Sequence, residues 1–183
     1  MKNDVVTRAI EFAYGAHAGQ VRPNLVKQPK IEHLEEVARM VLLFGGSEDE
    51  VVAAWLHDIL EDTDVTKEEI VAIFGENIGK IVDGLTDKMV AKESDDILER
   101  KQLQAQQIAM EGDSVKIVKM ADQISNVLSV LFDPPIDWTP AQCLAYVVGA
   151  GIVVDVCKPV HGGLYDAFMR VYNAAFEHYR ALS

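Results

Sequence analysis

Apolar residues recur three and four positions apart through almost the whole chain, and this pattern confines it to a helical fold. Residues 4–18 read as a first helix, with Val5, Ala9, Phe12 and Ala16 on one face. The stretch from Gly19 to Pro29 reads as a loop, and a second helix from about Glu32 to Phe44 stops at Gly45-Gly46. Ser47 with Glu50, and Thr66 with Glu69, have the spacing of capping boxes, so a helix should open after each. Residues 77–87 and 95–111 read as further helices separated by a charged linker. Ser114 should open a helix over 115–132, which Asp133-Pro134-Pro135 ends. Thr139-Pro140 should open the next, to about Lys158. His161-Gly162-Gly163 reads as a break before a last helix over 164–181. With no repeat and no domain linker, the expectation is one all-α domain over residues 1–183.

Composition narrows the function classes. Hydrophobic residues make up 49% of the chain, which favours a packed core over disorder. The net charge of −12 argues against nonspecific binding to nucleic acid or to an anionic membrane. It leaves room for a small phosphorylated substrate, because a bound cation and a few local bases reverse the field inside a pocket. Cys143 and Cys157 are too few for a disulfide framework and read as reduced, buried thiols. The apolar run Ala145–Cys157 is too short to span a bilayer, and the first residues carry no signal-peptide pattern. A cytoplasmic location is expected.

Chemistry concentrates in Ala54-Trp-Leu-His-Asp-Ile-Leu-Glu-Asp-Thr63. On a continuous helix, His57, Asp58, Glu61 and Asp62 would fan over an arc of roughly 140°. Val52, Trp55, Leu56 and Ile59 would take the opposite side and anchor it. Imidazole plus carboxylates is what a divalent-metal hydrolase needs: ligands for the ion and a separate carboxylate to manage water. A second pattern lies at residues 115–132, where Lys119, Asp122, Ser125, Asn126 and Ser129 share a face of small hydrogen-bonding groups. That face reads either as a ligand wall or as a polar helix surface. His33 shares a face with Val37, Met40 and Phe44, and alone would be a core histidine with one partner. Joined to His57, Asp58 and Asp122 it would complete an N/O ligand set suited to Mn²⁺, Fe²⁺ or Zn²⁺ more than to Ca²⁺. His17, His161 and His178 read as structural, and no phosphate-loop or serine-nucleophile motif is present.

These residues, with others in order along the chain, carry a resemblance. Ala16-His-Ala-Gly-Gln-Val-Arg22, Ile31-Glu-His33, Leu56-His-Asp-Ile-Leu-Glu-Asp-Thr63, Val82-Asp-Gly-Leu-Thr86, Glu99-Arg-Lys101 and Val118-Lys-Met-Ala-Asp122 with Asn126 resemble the hydrolase domain of the RelA/SpoT homologues. That domain lies within the HD superfamily of metal-dependent phosphohydrolases, and the likeness is greatest to its small stand-alone alarmone hydrolases. The resemblance implies an HD fold of about eight to ten helices binding one Mn²⁺, with Fe²⁺ and Zn²⁺ as alternatives. It implies His33, His57, Asp58 and Asp122 as metal ligands and Glu61 and Asp62 as the catalytic acidic pair. It matches Arg22, Arg100, Lys101, Asn126, Ser129 and Tyr146 to substrate-binding positions. The implied reaction removes the 3′-diphosphate of ppGpp or pppGpp, and adenosine alarmones, (p)ppApp, are a further candidate substrate. Another HD-type nucleotidase or NADPH phosphatase, and a noncatalytic alarmone-binding protein, are the competing readings. The chain departs from the family at Pro23, at Lys30 and in Gln123-Ile-Ser125, all expected on the nucleoside side and away from the metal.

Overall fold

The computed structural model describes residues 4–87 and 96–183. Residues 88–95, which hold the expected charged linker, lie outside the described residues. The elements are α1 (Val5–Ala16), α2 (Lys30–Leu43), α3 (Glu48–Leu56), the single turn α4 (Ile59–Asp62), α5 (Lys67–Phe74) and α6 (Glu76–Leu85). They continue with α7 (Ile97–Ala109), α8 (Asp113–Phe132), α9 (Pro140–Asp155) and α10 (Gly162–Arg180). No strand is formed among the described residues, only isolated bridges from Val21 to Pro29 and from Asn24 to Pro135.

Most helix starts follow from the caps. Ser47 and Glu50, Thr66 and Glu69, and Thr139 and Gln142 each form reciprocal capping boxes. After α2 the chain turns at Gly45, whose φ of 83° is left-handed and suits a residue without Cβ. Two of the starts that differ from expectation have a visible cause. α8 begins at Asp113 with Gly112 as its cap, because the Ser114 hydroxyl instead donates to Glu50 Oε1 at 2.8 Å. α10 begins at Gly162, because the His161 ring accepts the Leu164 amide and serves as its cap.

α8 is the axis of the molecule. It packs against α2, α3, α6, α9 and α10, and its buried residues run from Val115 to Val130. α3 is enclosed between α1, α2, α6 and α8, so Val51 to Leu56 are all buried. α7 and α9 pack against each other on the far side, and both cysteines are free and buried. The loop between α1 and α2 is fastened to the end of α8: the amides of Leu25 and Val26 both donate to the Asp133 carboxylate at 3.3 Å. No helix among the described residues is long and apolar enough to cross a membrane.

Candidate active site

The expected continuous helix through His57 and Asp62 is broken. α3 ends at Leu56, and Asp58 sits at φ −96°, ψ −2°, the sparsely allowed bridge region between helix and strand. The His57 ring Nδ1–H donates to the Ala54 carbonyl at 2.7 Å, and the amides of Glu61 and Asp62 both return to the Asp58 carbonyl. The turn therefore aims two adjacent side chains at one point, which a regular helix would splay by about 100°. At that point α2 delivers His33 and α8 delivers Asp122.

Four side chains bring their donor atoms together there. The Nε2 atoms of His33 and His57 lie 3.2 Å apart. Asp122 Oδ1 is 3.4 Å from His33 Nε2 and 3.6 Å from His57 Nε2. Asp58 reaches the same two nitrogens at 3.6 and 3.2 Å. Ligand atoms of His33, His57 and Asp58 all fall within 4.8 Å of one another. Each imidazole is oriented through Nδ1, His57 on the Ala54 carbonyl and His33 on Ser125 Oγ at 2.9 Å. Two inward Nε2 atoms and two carboxylates are a donor set that could hold one cation.

The electrostatics agree. Burial pulls His33 below the ordinary imidazole range. Burial opposes charge on His57 as well, but the carboxylates of Asp58 and Asp122 outweigh it and raise this ring. Burial works against charge on Asp122, yet the Lys119 ammonium, 3.3 Å away, and the two imidazoles hold its carboxyl well below the usual range. Asp58 is held low in the same way, against its burial, by His57 and Lys30.

A cavity of about 330 Å³ opens on this cluster. Its wall includes His33, Asp58, Glu61, Arg100, Lys101, Asp122, Asn126 and Tyr146. Glu61 accepts the Asp87 amide at 2.8 Å, and burial together with the Asp87 carboxylate pushes its carboxyl up. Asp62 lies off this cavity, in a second cleft with Gln20, Arg22 and Lys30. Lys101 is buried between Gln104 and Gln123, with its ammonium 4.5 Å from the centre of the Tyr146 ring. Arg22 donates to Asn126 Oδ1 at 2.7 Å, and Asn126 in turn donates to Asp122 Oδ1 at 2.5 Å. Ser129 is not among the residues that line either cleft.

Sequence reasoning missed several neighbours. Lys30 bridges Asp58 at 2.6 Å and Asp62 at 2.8 Å, joining the two clefts. Gln123 donates to Asp122 Oδ2 at 2.9 Å. Lys30, Gln123 and Ser125, expected away from the metal, therefore all touch proposed ligands. The reason is spacing: Lys30 and Ser125 each stand three residues from a ligand on the same helix, and so share its face. Asp87 and Gln104 join from elsewhere, Gln104 Nε2 donating to Asp87 Oδ1 at 2.6 Å, and nothing in local sequence marks them.

Comparison with known proteins supplies an independent line. The model of the HD domain matches residues 9–134. The chain is 32% identical over 167 residues to the Homo sapiens protein named guanosine-3′,5′-bis(diphosphate) 3′-pyrophosphohydrolase MESH1, covering 90% of this chain and 91% of that one. It is 30% identical to the Drosophila melanogaster protein of the same name, covering 85% and 86%. A solved structure described as a metazoan orthologue of SpoT that hydrolyses ppGpp superposes with a TM-score of 0.86, at 25% identity over 94% of this chain and 96% of that one.

Proposed function

Because the chain belongs to the HD-domain family, with the MESH1 pyrophosphohydrolases among its relatives, we propose that it hydrolyses the 3′-diphosphate of ppGpp and pppGpp, using Mn²⁺. The observation that carries this reading is the meeting of His33, His57, Asp58 and Asp122 beside the carboxyl of Glu61. The mixed N₂O₂ donor set fits a borderline divalent ion, and we assign Mn²⁺ to it. When bound, such a cation supplies Lewis-acid activation of water and of the phosphoryl oxygens.

The chain's own groups do the rest. Glu61, with its raised carboxyl, takes a proton from the attacking water. The water oxygen bonds to the phosphorus attached to the ribose 3′ oxygen as that P–O bond breaks, the 3′ oxygen takes up the proton from Glu61, and pyrophosphate and the nucleoside 5′-di- or triphosphate are released. Lys119, Lys101 and Arg100 place positive charge along the cavity where phosphates would lie. Lys30 keeps Asp62 beside Asp58. Arg22 holds the nucleoside side with Asn126, and its Nη1, buried and without a hydrogen-bond partner among the described residues, is available to a ligand acceptor. A planar guanidinium also stacks well on a purine face. Tyr146 and Trp138, with ring centres 5.4 Å apart, form an aromatic wall on the same cavity.

The test is product analysis with purified, Mn²⁺-loaded protein. Pyrophosphate and GDP should appear one for one from ppGpp. Glu61→Gln should lower kcat by about 10²–10⁴-fold while Mn²⁺ binding is retained. Assays of pppGpp, ppApp and NADPH alongside set the base preference and the competing phosphatase reading. Absence of pyrophosphate from every 3′-diphosphorylated nucleotide would overturn the proposal.

A further inference from the structure

His33 and His57 face each other through Nε2, but their outer nitrogens are held differently. His57 rests on a main-chain carbonyl. His33 rests on a side chain: its Nδ1 is 2.9 Å from Ser125 Oγ, and Ser125 Oγ donates to Glu36 Oε2 at 2.7 Å. A serine hydroxyl has one proton. Spent on Glu36, that proton is not available to the imidazole, so Ser125 meets His33 only as an acceptor. His33 Nδ1 must then carry hydrogen, and the lone pair of Nε2 is directed at His57, Asp58 and Asp122. Ser125 and His33 are both almost fully buried, at 1% and 2% exposure, so no solvent competes for the contact between them.

We propose that Glu36 and Ser125 are positioning residues for the cation: a carboxylate–hydroxyl–imidazole relay that fixes the His33 tautomer and strengthens Nε2 as a ligand. The relay reaches further. Glu36 Oε1 accepts Gln28 Nε2 at 3.4 Å, and the Gln28 carbonyl accepts the Arg22 amide at 2.8 Å. Ser125 also precedes Asn126, the partner of Arg22. The loop that presents Arg22 and the helix that presents Asp122 are thus tied to the same imidazole. Outer partners of metal-bound histidines typically change affinity by about 10–100-fold when removed. This inference rests on the reading of His33 as a ligand.

The experiment titrates Mn²⁺ alone into metal-free wild type, Ser125→Ala, Glu36→Ala and His33→Ala, following free Mn²⁺ by its electron paramagnetic resonance signal. Long-range ¹H–¹⁵N spectra of the metal-free proteins report the His33 tautomer. Both relay variants should weaken Mn²⁺ about 10–100-fold and move His33 off a pure Nδ1–H tautomer. His33→Ala should weaken it at least as far. Glu36 lies on an exposed position, so its variant keeps the test open if Ser125→Ala disturbs folding. Wild-type affinity and tautomer in both relay variants, with His33→Ala impaired, would remove the relay and leave the metal site standing. Wild-type affinity in His33→Ala would remove both.

Discussion

Lys101, proposed above to face the substrate phosphates, is held against the interest of the fold. Burial depresses its ammonium from 10.5 to about 8, although Gln104 and Gln123 both accept from it. Below pH 8 the folded and unfolded chains both hold the proton, and the burden of a buried charge, ~3 kcal/mol at most, is fully present. Between pH 8 and 10.5 the folded chain has released it while the unfolded chain has not, so stability from this group rises with pH. Lys101→Met should therefore stabilise the fold by about 1–2 kcal/mol at pH 7, once the two lost hydrogen bonds are deducted. The gain should fade above pH 8, and nucleotide affinity should drop. Urea melts at pH 7 and pH 10 check the first part, and a variant less stable than wild type at pH 7 would refute it. The residues at the centre of this site were legible because they cluster in sequence or carry metal-type side chains, as His57, Asp58 and Asp122 do. Lys30 and Ser125 were visible only in part, since knowing their helix face requires knowing which face the ligands use. Ser129 shares the polar face in sequence, and the linings of the two clefts do not include it.

At the scale of elements, the helices read well from apolar period and caps, and the exceptions have physical causes. The α3–α4 break at His57-Asp58 falls inside an unbroken amphipathic pattern, because local spacing says nothing of the tertiary packing that holds Asp58 in the bridge region. Close approach between elements is likewise invisible in one dimension. Gly149 in α9 faces the stem of Lys101 in α7: a Cβ there would lie 2.6 Å from Lys101 Cβ and Cγ. Gly149→Ala should cost about 1–2 kcal/mol, because overpacking exceeds the gain in helix propensity. Gly15 in α1 has open space around its would-be Cβ. Gly15→Ala should add about 0.5–1 kcal/mol by propensity alone. Equilibrium unfolding of the two variants gives shifts of opposite sign, and like signs would contradict this account of how α7 and α9 meet.

Across the whole molecule the charge is −12, yet the cavity beside the His33–His57 cluster sets Lys30, Arg100, Lys101 and Lys119 against Asp58, Glu61, Asp87 and Asp122. A cavity balanced in this way becomes positive when a divalent ion enters, which suits a phosphate-rich substrate in an acidic protein. The proposed ligands also come from α2, the α3–α4 turn and α8, so a bound ion would join elements distant in sequence. Mn²⁺ at a hundredfold excess over Kd should add about 2.7 kcal/mol, or roughly 5–10 °C in Tm. Melts with Mn²⁺ and with chelator measure this, and His57→Ala should abolish the difference. The Asp133 clamp on the amides of Leu25 and Val26 has a bearing on redesign. Because the clamp is made to main-chain amides, a graft of residues 19–29 from a homologue keeps it only if the incoming loop presents free N–H groups at positions 25 and 26, so one that changes loop length or places proline there has to travel with its matching residue at position 133.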